Sequence, residues 1–214
     1  ILFLKIFVYL MNSKKQLAVA LSRLQSFEKP SFKLEQYPTD SEIAAEVLWF
    51  ASQYGDLDNK EIADLGCGTG ILGIGALMLE SKSLNFVDID ERALRKLKQN
   101  LQLMEFKNYE IFNLNVEAFN KKVDVVIQNP PFGVKSEHAD KVFLKKAFKI
   151  SNVIYSFHKT TSEKFIDAIS KDNGFKITHF FKFDFPLKQT MDFHKKRIEK
   201  IEVGCWRMEK IEKL

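Results

Sequence analysis

Cysteine is scarce in this chain. Cys67 and Cys205 are the only two among 214 residues, they lie far apart, and neither sits in a Cys/His cluster with zinc spacing. That scarcity argues against a structural disulfide and a bound metal, and it suits a reducing, cytoplasmic setting. Glycine, with nine residues, and proline, with five, are also few, which excludes collagen-like and low-complexity architectures. A membrane-length apolar run is missing too. The apolar stretch at residues 1–10 contains Lys5, is too short to span a bilayer, and is followed by no small-residue cleavage site. Residues 1–10 therefore read as an N-terminal extension, with Met11 as the natural start of a single domain over 11–214. What is present is 45% hydrophobic and 29% charged, the balance of an ordinary folded domain long enough for one substantial core. The net charge of +5 favours a polyanionic partner without requiring one.

Leu17, Ala20, Leu21, Leu24 and Phe27 recur at helical spacing and Pro30 follows them, so a short amphipathic helix is expected there. In the next helix Thr39 and Glu42 have capping-box spacing, Ile43, Val47, Leu48 and Ala51 form the buried stripe, and Gly55 ends it. Short apolar runs at 62–65, 84–87, 109–114, 123–128 and 152–157 are then separated by helical stretches around 71–80, 91–104, 138–149 and 161–172. Such alternation predicts an α/β fold, a mostly parallel sheet with helices on both faces. Residues 175–185 and 198–208 read instead as two consecutive strands, which implies an antiparallel strand at that side. In the second of them Ile201, Val203 and Cys205 would face one way and Glu202 and Trp206 the other. No repeat or linker marks a second domain.

Asp64-Leu65-Gly66-Cys67-Gly68-Thr69-Gly70 directly follows the first strand of the alternating region and opens its first helix. Glycine lets the chain turn sharply there and brings backbone amides close to a ligand. Dinucleotide enzymes use a similar loop to hold a pyrophosphate on a helix N-terminus. Asp88, at the end of the second strand, fits either ligand class, because a carboxylate can accept hydrogen bonds from both ribose hydroxyls. The Gly-x-Gly-x-Gly spacing lacks the third position of the dinucleotide fingerprint and looks like the S-adenosylmethionine loop of Rossmann-like methyltransferases.

Asn129-Pro130-Pro131-Phe132 follows the strand at 123–128, at the carboxyl edge where open α/β sheets place their ligands. An exocyclic amine on an aromatic ring is a poor nucleophile because its lone pair is delocalised. Two acceptors, the Asn129 side-chain carbonyl and the Pro130 backbone carbonyl, would bind both N–H groups and aim the lone pair at a methyl sulfonium. Pro130 and Pro131 would stiffen that backbone, and Phe132 would offer a face for the base to stack on. The bland alternative is a strand-ending turn with an aromatic lid.

Six segments together resemble the methyltransferase-like protein 5 family in order and spacing over residues 12–208. They are Leu34 to Thr39, Asp64 to Gly68, Asp88-Ile89-Asp90, Asn129 to Gly133, Tyr155 to Lys159, and Phe193 to Lys196. The resemblance implies a Rossmann-like class I fold with a mostly parallel seven-stranded sheet and an antiparallel terminal strand. It also implies S-adenosyl-L-methionine as cofactor, adenine-N6 methylation of small-subunit ribosomal RNA, and a small zinc-binding activator protein as partner. The cofactor contacts it implies are Gln36, Thr39, Asp64, Gly66, Cys67, Gly68, Gly70, Ile71, Leu72, Asp88, Ile89, Asn115, Val116 and Asn129. Among these, Gln36 and Thr39 would close over the cofactor, the loop Gly66 to Gly70 would hold its methionine part, and Asp88 its ribose. Where relatives carry an acid after the third strand, this chain has Asn115, whose carbonyl can still accept a bond from the adenine amine.

The basic cluster His194-Lys195-Lys196-Arg197, with His158 and Lys159, would position an RNA through its phosphates without reading sequence. A target adenine inside a helix would have to be flipped out. The third strand would form a sheet edge whose apolar Ile111 and Phe112 offer the activator a place to dock. The same chemistry would serve a release-factor glutamine, a guanine amino group or DNA adenine, since each presents a planar NH2. A non-catalytic RNA-binding scaffold is the alternative from a different class.

Overall fold

The structure, a computed structural model, describes residues 12–28, 30–31, 34–132, 139–186 and 200–212. The N-terminal extension and the cluster His194 to Arg197 lie outside the described residues.

Two helices come first. Helix α1 spans Lys14–Leu21 and is capped by the Ser13 side chain. It stops earlier than the apolar spacing suggests, and the cause is tertiary. Asn100, which is fully buried, accepts the Gln25 N–H at 2.8 Å and donates to the Gln25 and Thr69 carbonyls at 3.0 Å each. The chain is thereby drawn out of the helix, and Phe27 is free to point elsewhere. Helix α2 spans Ser41–Gln53, and its cap is Asp40 rather than Thr39. The Asp40 carboxylate accepts the N–H groups of Glu42 and Ile43 at 2.9 and 3.4 Å. An ionised acceptor at the positive end of a helix is a strong cap, and it releases the Thr39 hydroxyl for other use.

The alternating region consists of β1 (Glu61–Leu65), α3 (Ile71–Met78), β2 (Ser83–Asp88), α4 (Glu91–Met104) and β3 (Tyr109–Asn113), then β4 (Val125–Gln128), α5 (Ala139–Ile150) and β5 (Val153–Lys159). Helix α6 (Glu163–Asp172) leads into β6 (Phe175–Pro186) and β7 (Lys200–Lys210). The sheet order is β3-β2-β1-β4-β5-β7-β6. Strands β1 to β5 pair in parallel, and β7 runs antiparallel to both its neighbours. The expected mostly parallel seven-stranded sheet with a reversed terminal strand is what the chain forms. The last strand in sequence inserts beside β5, and β6 takes the edge.

Central strands β1, β2 and β4 are buried along nearly their whole length, as strands covered on both faces must be. Their side chains alternate between two cores. Ile62, Phe86, Val125 and Ile127 join Leu48 of α2, Ile74 of α3 and Leu97 of α4 on one face. Ala63, Leu65, Val87 and Val126 join Leu144 and Phe148 of α5 and Ile166 of α6 on the other. In β7, Val203 and Cys205 enter the first core and Trp206 and Met208 the second, in the alternation expected from sequence. Strand β3 is different. It is the other sheet edge and is only half-buried.

This topology fixes the place of the site. The chain leaves β1 toward β2 on one side, while β4 and β5 lie on the other, so the carboxyl ends of β1 and β4 border a crevice. Register aligns Val87, Leu65, Gln128 and Ser156 in one row across β2, β1, β4 and β5. One residue beyond that row, each strand reaches a residue of its sequence motif: Asp88, Gly66 and Asn129.

Candidate active site

The loop after β1 turns through positive φ at Gly66 (71°), Gly68 (54°) and Gly70 (92°), a conformation in which a side chain is strained. Space is also closed to one. A Cβ on Gly66 would lie 2.9 Å from the Phe143 ring, and one on Gly68 would lie 2.8 Å from the Phe27 ring. Gly66 and Cys67 donate their N–H groups to the Val87 carbonyl at 2.8 and 3.1 Å, which locks the loop to the end of β2. Asp88 completes the lock by accepting the Gly68 N–H at 2.7 Å and the Asp90 N–H at 2.8 Å. Burial raises the Asp88 pKa, and these backbone bonds oppose the shift. Gln36 donates to Asp90 at 2.9 Å and accepts the Ser31 N–H at 2.8 Å, so it pins the segment before α2 over α4.

Two cavities meet at this loop. One, of about 220 Å³, is lined by Gln36, Asp88, Ile89, Asn115, Val116 and Pro131. The other, of about 580 Å³, is lined by Thr39, Asp64, Cys67, Thr69, Ile71 and Leu72. Phe27, Tyr37, Gly66, Gly68 and Asn129 line both. Thirteen of the fourteen sequence-derived cofactor positions line one cavity or both, the exception being Gly70, whose φ sets the start of α3. Asn115 spends one lone pair on its own turn, accepting the Glu117 N–H at 2.9 Å. Its second lone pair leaves it an acceptor toward the cavity.

Asn129 is the centre of the arrangement. Its amide nitrogen donates to Thr39 Oγ1 at 3.0 Å, across ninety residues of sequence. Its Oδ1 is buried and has no hydrogen-bond partner among the described residues. A buried acceptor without a partner is costly, by about 1–3 kcal/mol, unless a ligand supplies the missing donor. Beside it, the Phe132 ring lies 6.3 Å from that of Tyr37 and within 12° of parallel. Burial, and then the charge of Glu35, raise the Tyr37 pKa, so its phenol is neutral.

Sequence reasoning missed Phe27, Tyr37 and Phe143. Phe27 is hidden because its spacing continues the helical stripe of α1, and Phe143 because it lies inside the helical stretch 138–149, where no motif marks it. Two expected RNA contacts separate. Lys159 is partly exposed at the end of β5, whereas His158 is only 1% exposed. Burial lowers the His158 pKa, so it is a neutral imidazole inside the fold. It cannot meet a phosphate from there, and that expectation is corrected. Among the described residues, no helix is long and apolar enough to cross a membrane, and no three His, Cys, Asp or Glu side chains are placed to hold a metal.

A positive-φ glycine loop, an acid one strand away and an Asn-Pro-Pro-Phe turn at the switch point define a class I S-adenosylmethionine-dependent methyltransferase. Residues 42–151 match the family model of the methyltransferase small domain. The chain is 36% identical to the rRNA N(6)-adenosine-methyltransferase METTL5 of Danio rerio, over 88% of this chain and 95% of that protein. It is 32% identical to the rRNA N(6)-adenosine-methyltransferase Mettl5 of Drosophila melanogaster, over 91% and 95%. The crystal structure of a candidate RNA methyltransferase from Pyrococcus horikoshii superposes with a TM-score of 0.88 at 42% identity, covering 95% of this chain and all of that one. The chain belongs to the METTL5 family of methyltransferases.

The cofactor is S-adenosylmethionine, and the residues present fit it: a glycine loop with no room for a Cβ at Gly66 or Gly68, and the Asp88 and Asp64 carboxylates on the walls of the two adjoining cavities. Burial pushes the Asp64 carboxyl up to about 7, although Gly73 N–H donates to it at 2.9 Å. Because the folded pKa lies above the unfolded value of about 3.9, this group's contribution to folding is complete below that value and is lost as pH rises through about 7. A cationic ligand beside Asp64 favours the ionised form and reverses that balance. Cofactor affinity is therefore expected to rise between pH 6 and 8, by up to about tenfold, and to flatten in Asp64→Asn. Calorimetry at both pH values measures it, and equal affinities in the wild type would contradict it.

Proposed function

We propose that this protein transfers a methyl group from S-adenosylmethionine to N6 of an adenine in small-subunit ribosomal RNA, in the cytoplasm, with residues 11–214 acting as one catalytic unit. The observation that carries the reading is the unpartnered, buried Asn129 Oδ1 on the wall shared by both cavities. Bound S-adenosylmethionine supplies an electrophilic methyl on a sulfonium centre. The chain's own residues make the weak nucleophile usable. Thr39 holds the Asn129 amide nitrogen, which leaves Oδ1 to accept one N–H of the exocyclic amine. The Pro130 carbonyl accepts the other. Acceptance of both N–H groups favours a pyramidal nitrogen and stabilises the positive charge that develops on it. Phe132 gives the flat ring a surface to stack on, worth about 1–3 kcal/mol. No general base is needed, because the ammonium product is acidic enough to release its proton to water.

Lys159 and the cluster His194-Lys195-Lys196-Arg197 are assigned to phosphate contacts, which orient the RNA without reading its sequence. The β3 edge is assigned to a small zinc-binding activator. Ile111 and Phe112 are only half-buried there, with Phe112 held edge-on by Phe119 at 5.1 Å. Ile111→Lys with Phe112→Lys is expected to abolish co-purification of the activator, and unchanged co-purification would place the partner elsewhere.

The substrate class is tested by incubating purified enzyme and activator with labelled cofactor and, in parallel, ribosomal RNA, DNA and a translation release factor. Label confined to RNA is expected. Preferential labelling of the release factor would replace an adenine with a glutamine amide.

A further inference from the structure

We propose that Asn100 is a positioning residue for cofactor binding, which acts by holding Phe27 against the glycine loop. Asn100 lies in α4, is fully buried and bonds two segments distant from it in sequence. Its amide nitrogen donates to the Thr69 carbonyl inside the loop and to the Gln25 carbonyl between α1 and α2, at 3.0 Å each. Its Oδ1 accepts the Gln25 N–H at 2.8 Å. One turn earlier on the same helix, Leu97 fills the space that a Cβ on Gly70 would need. Beside it, Lys96 donates to Gln25 Oε1 at 3.0 Å and to Glu28 Oε1 at 2.6 Å.

Both donors of the Asn100 amide are spent on main-chain carbonyls of different segments, an arrangement that neither a carboxylate nor an apolar side chain reproduces. Gln25 is therefore fixed to the loop through one planar group, and Phe27 follows two residues later. Gln25, Ser26 and Glu28 are exposed, whereas Phe27 is half-buried, and Leu24 on the other side packs on the first core. A Cβ on Gly68 would lie 2.8 Å from Phe27 Cζ and 3.6 Å from both Cε atoms, so the ring meets the loop tip first. The same ring lines both cavities. Thr69, which Asn100 holds, is the neighbour of Gly68, which Phe27 touches. The Asn100 amide thus sets the distance between the loop and its aromatic cover, and a cofactor that spans both cavities is bounded by that ring.

This inference rests on the cofactor and not on the RNA substrate, so its test is binding. Phe27→Ala is expected to raise the Kd for S-adenosylhomocysteine about tenfold by calorimetry, with little change in Tm because the ring covers a cavity and not a core. Asn100→Leu removes all three bonds and is expected to weaken binding by a similar factor. Gln25→Pro deletes the N–H that Asn100 accepts, and so tests the same bond from the exposed side without disturbing the core; a loss of about three- to tenfold is expected. Adding Phe27→Ala to either variant costs no more than about threefold further, since each acts through the same ring. Losses that multiply in the double variants, or wild-type affinity in Gln25→Pro, overturn the positioning role. Wild-type affinity in Phe27→Ala overturns the proposal outright. A wild type that binds no S-adenosylhomocysteine overturns the methyltransferase reading and this proposal with it, whereas the other failures leave that reading standing.

Discussion

Asn129→Ala is expected to reduce single-turnover methyl transfer by about 10²–10³-fold while leaving cofactor affinity within about threefold. The loss is large because Oδ1 matters most where charge develops, on the nitrogen as the methyl arrives, and little when the cofactor binds alone. The substitution also strands Thr39, whose hydroxyl is the partner of the Asn129 amide. Rapid-quench measurements with labelled cofactor separate the two effects. A matching loss in affinity and rate would mean that Asn129 serves the pocket and not the transition state.

Asp56→Ala is expected to destabilise the fold by about 3–5 kcal/mol, because it takes the two-bond carboxylate from a buried guanidinium and leaves Glu209, at 3.3 Å, as its counter-charge. Arg207, 2% exposed, meets Asp56 through two bonds of 2.7 and 3.0 Å. Tyr155 donates its hydroxyl to the same carboxylate at 2.6 Å, and Arg207 packs 4.4 Å from the centre of the Tyr54 ring. The cluster joins the turn after α2 to β5 and β7, the part of the sheet that supports the catalytic turn from behind. For a chain of this size the expected fall in Tm is about 6–20 °C. The paired replacement Asp56→Leu with Arg207→Met removes both charges and is expected to recover most of the stability. Scanning calorimetry of the three proteins checks the order. A double variant as unstable as Asp56→Ala would show that shape, rather than the carboxylate partner, was lost.

The readable parts of the molecule were those in which a local pattern and a chemical need coincide. Gly66, Gly68 and Gly70 announce a turn that only glycine can make, Asp88 follows at the length of one helix and strand, and Asn129 to Phe132 ends a strand. Those three motifs fall on the same row of the sheet because parallel register is set by buried strands of similar length. The misread parts depend on distant residues. Nothing near Leu21 says that Asn100 will take the backbone of Gln25, so the stripe of α1 was continued to Phe27. Thr39 has capping-box spacing to Glu42, yet the structure caps α2 with the Asp40 carboxylate and engages Thr39 with Asn129. His158 beside Lys159 looks like a basic pair, yet β5 is buried on both faces through His158, and its last residue, Lys159, is the one that reaches the surface. Asp56 and Arg207, 151 residues apart, share no pattern that a sequence could display.

Methyl transfer by this protein depends on an acceptor left open for a flat amine at the end of β4. The most direct test is a crystal structure of the protein with S-adenosylhomocysteine and an adenine-containing oligonucleotide. The adenine N6 should lie within hydrogen-bond distance of both Asn129 Oδ1 and the Pro130 carbonyl, with its ring over Phe132. An adenine bound elsewhere, with Oδ1 turned away from the cofactor sulfur and no space for a ring between them, would contradict it.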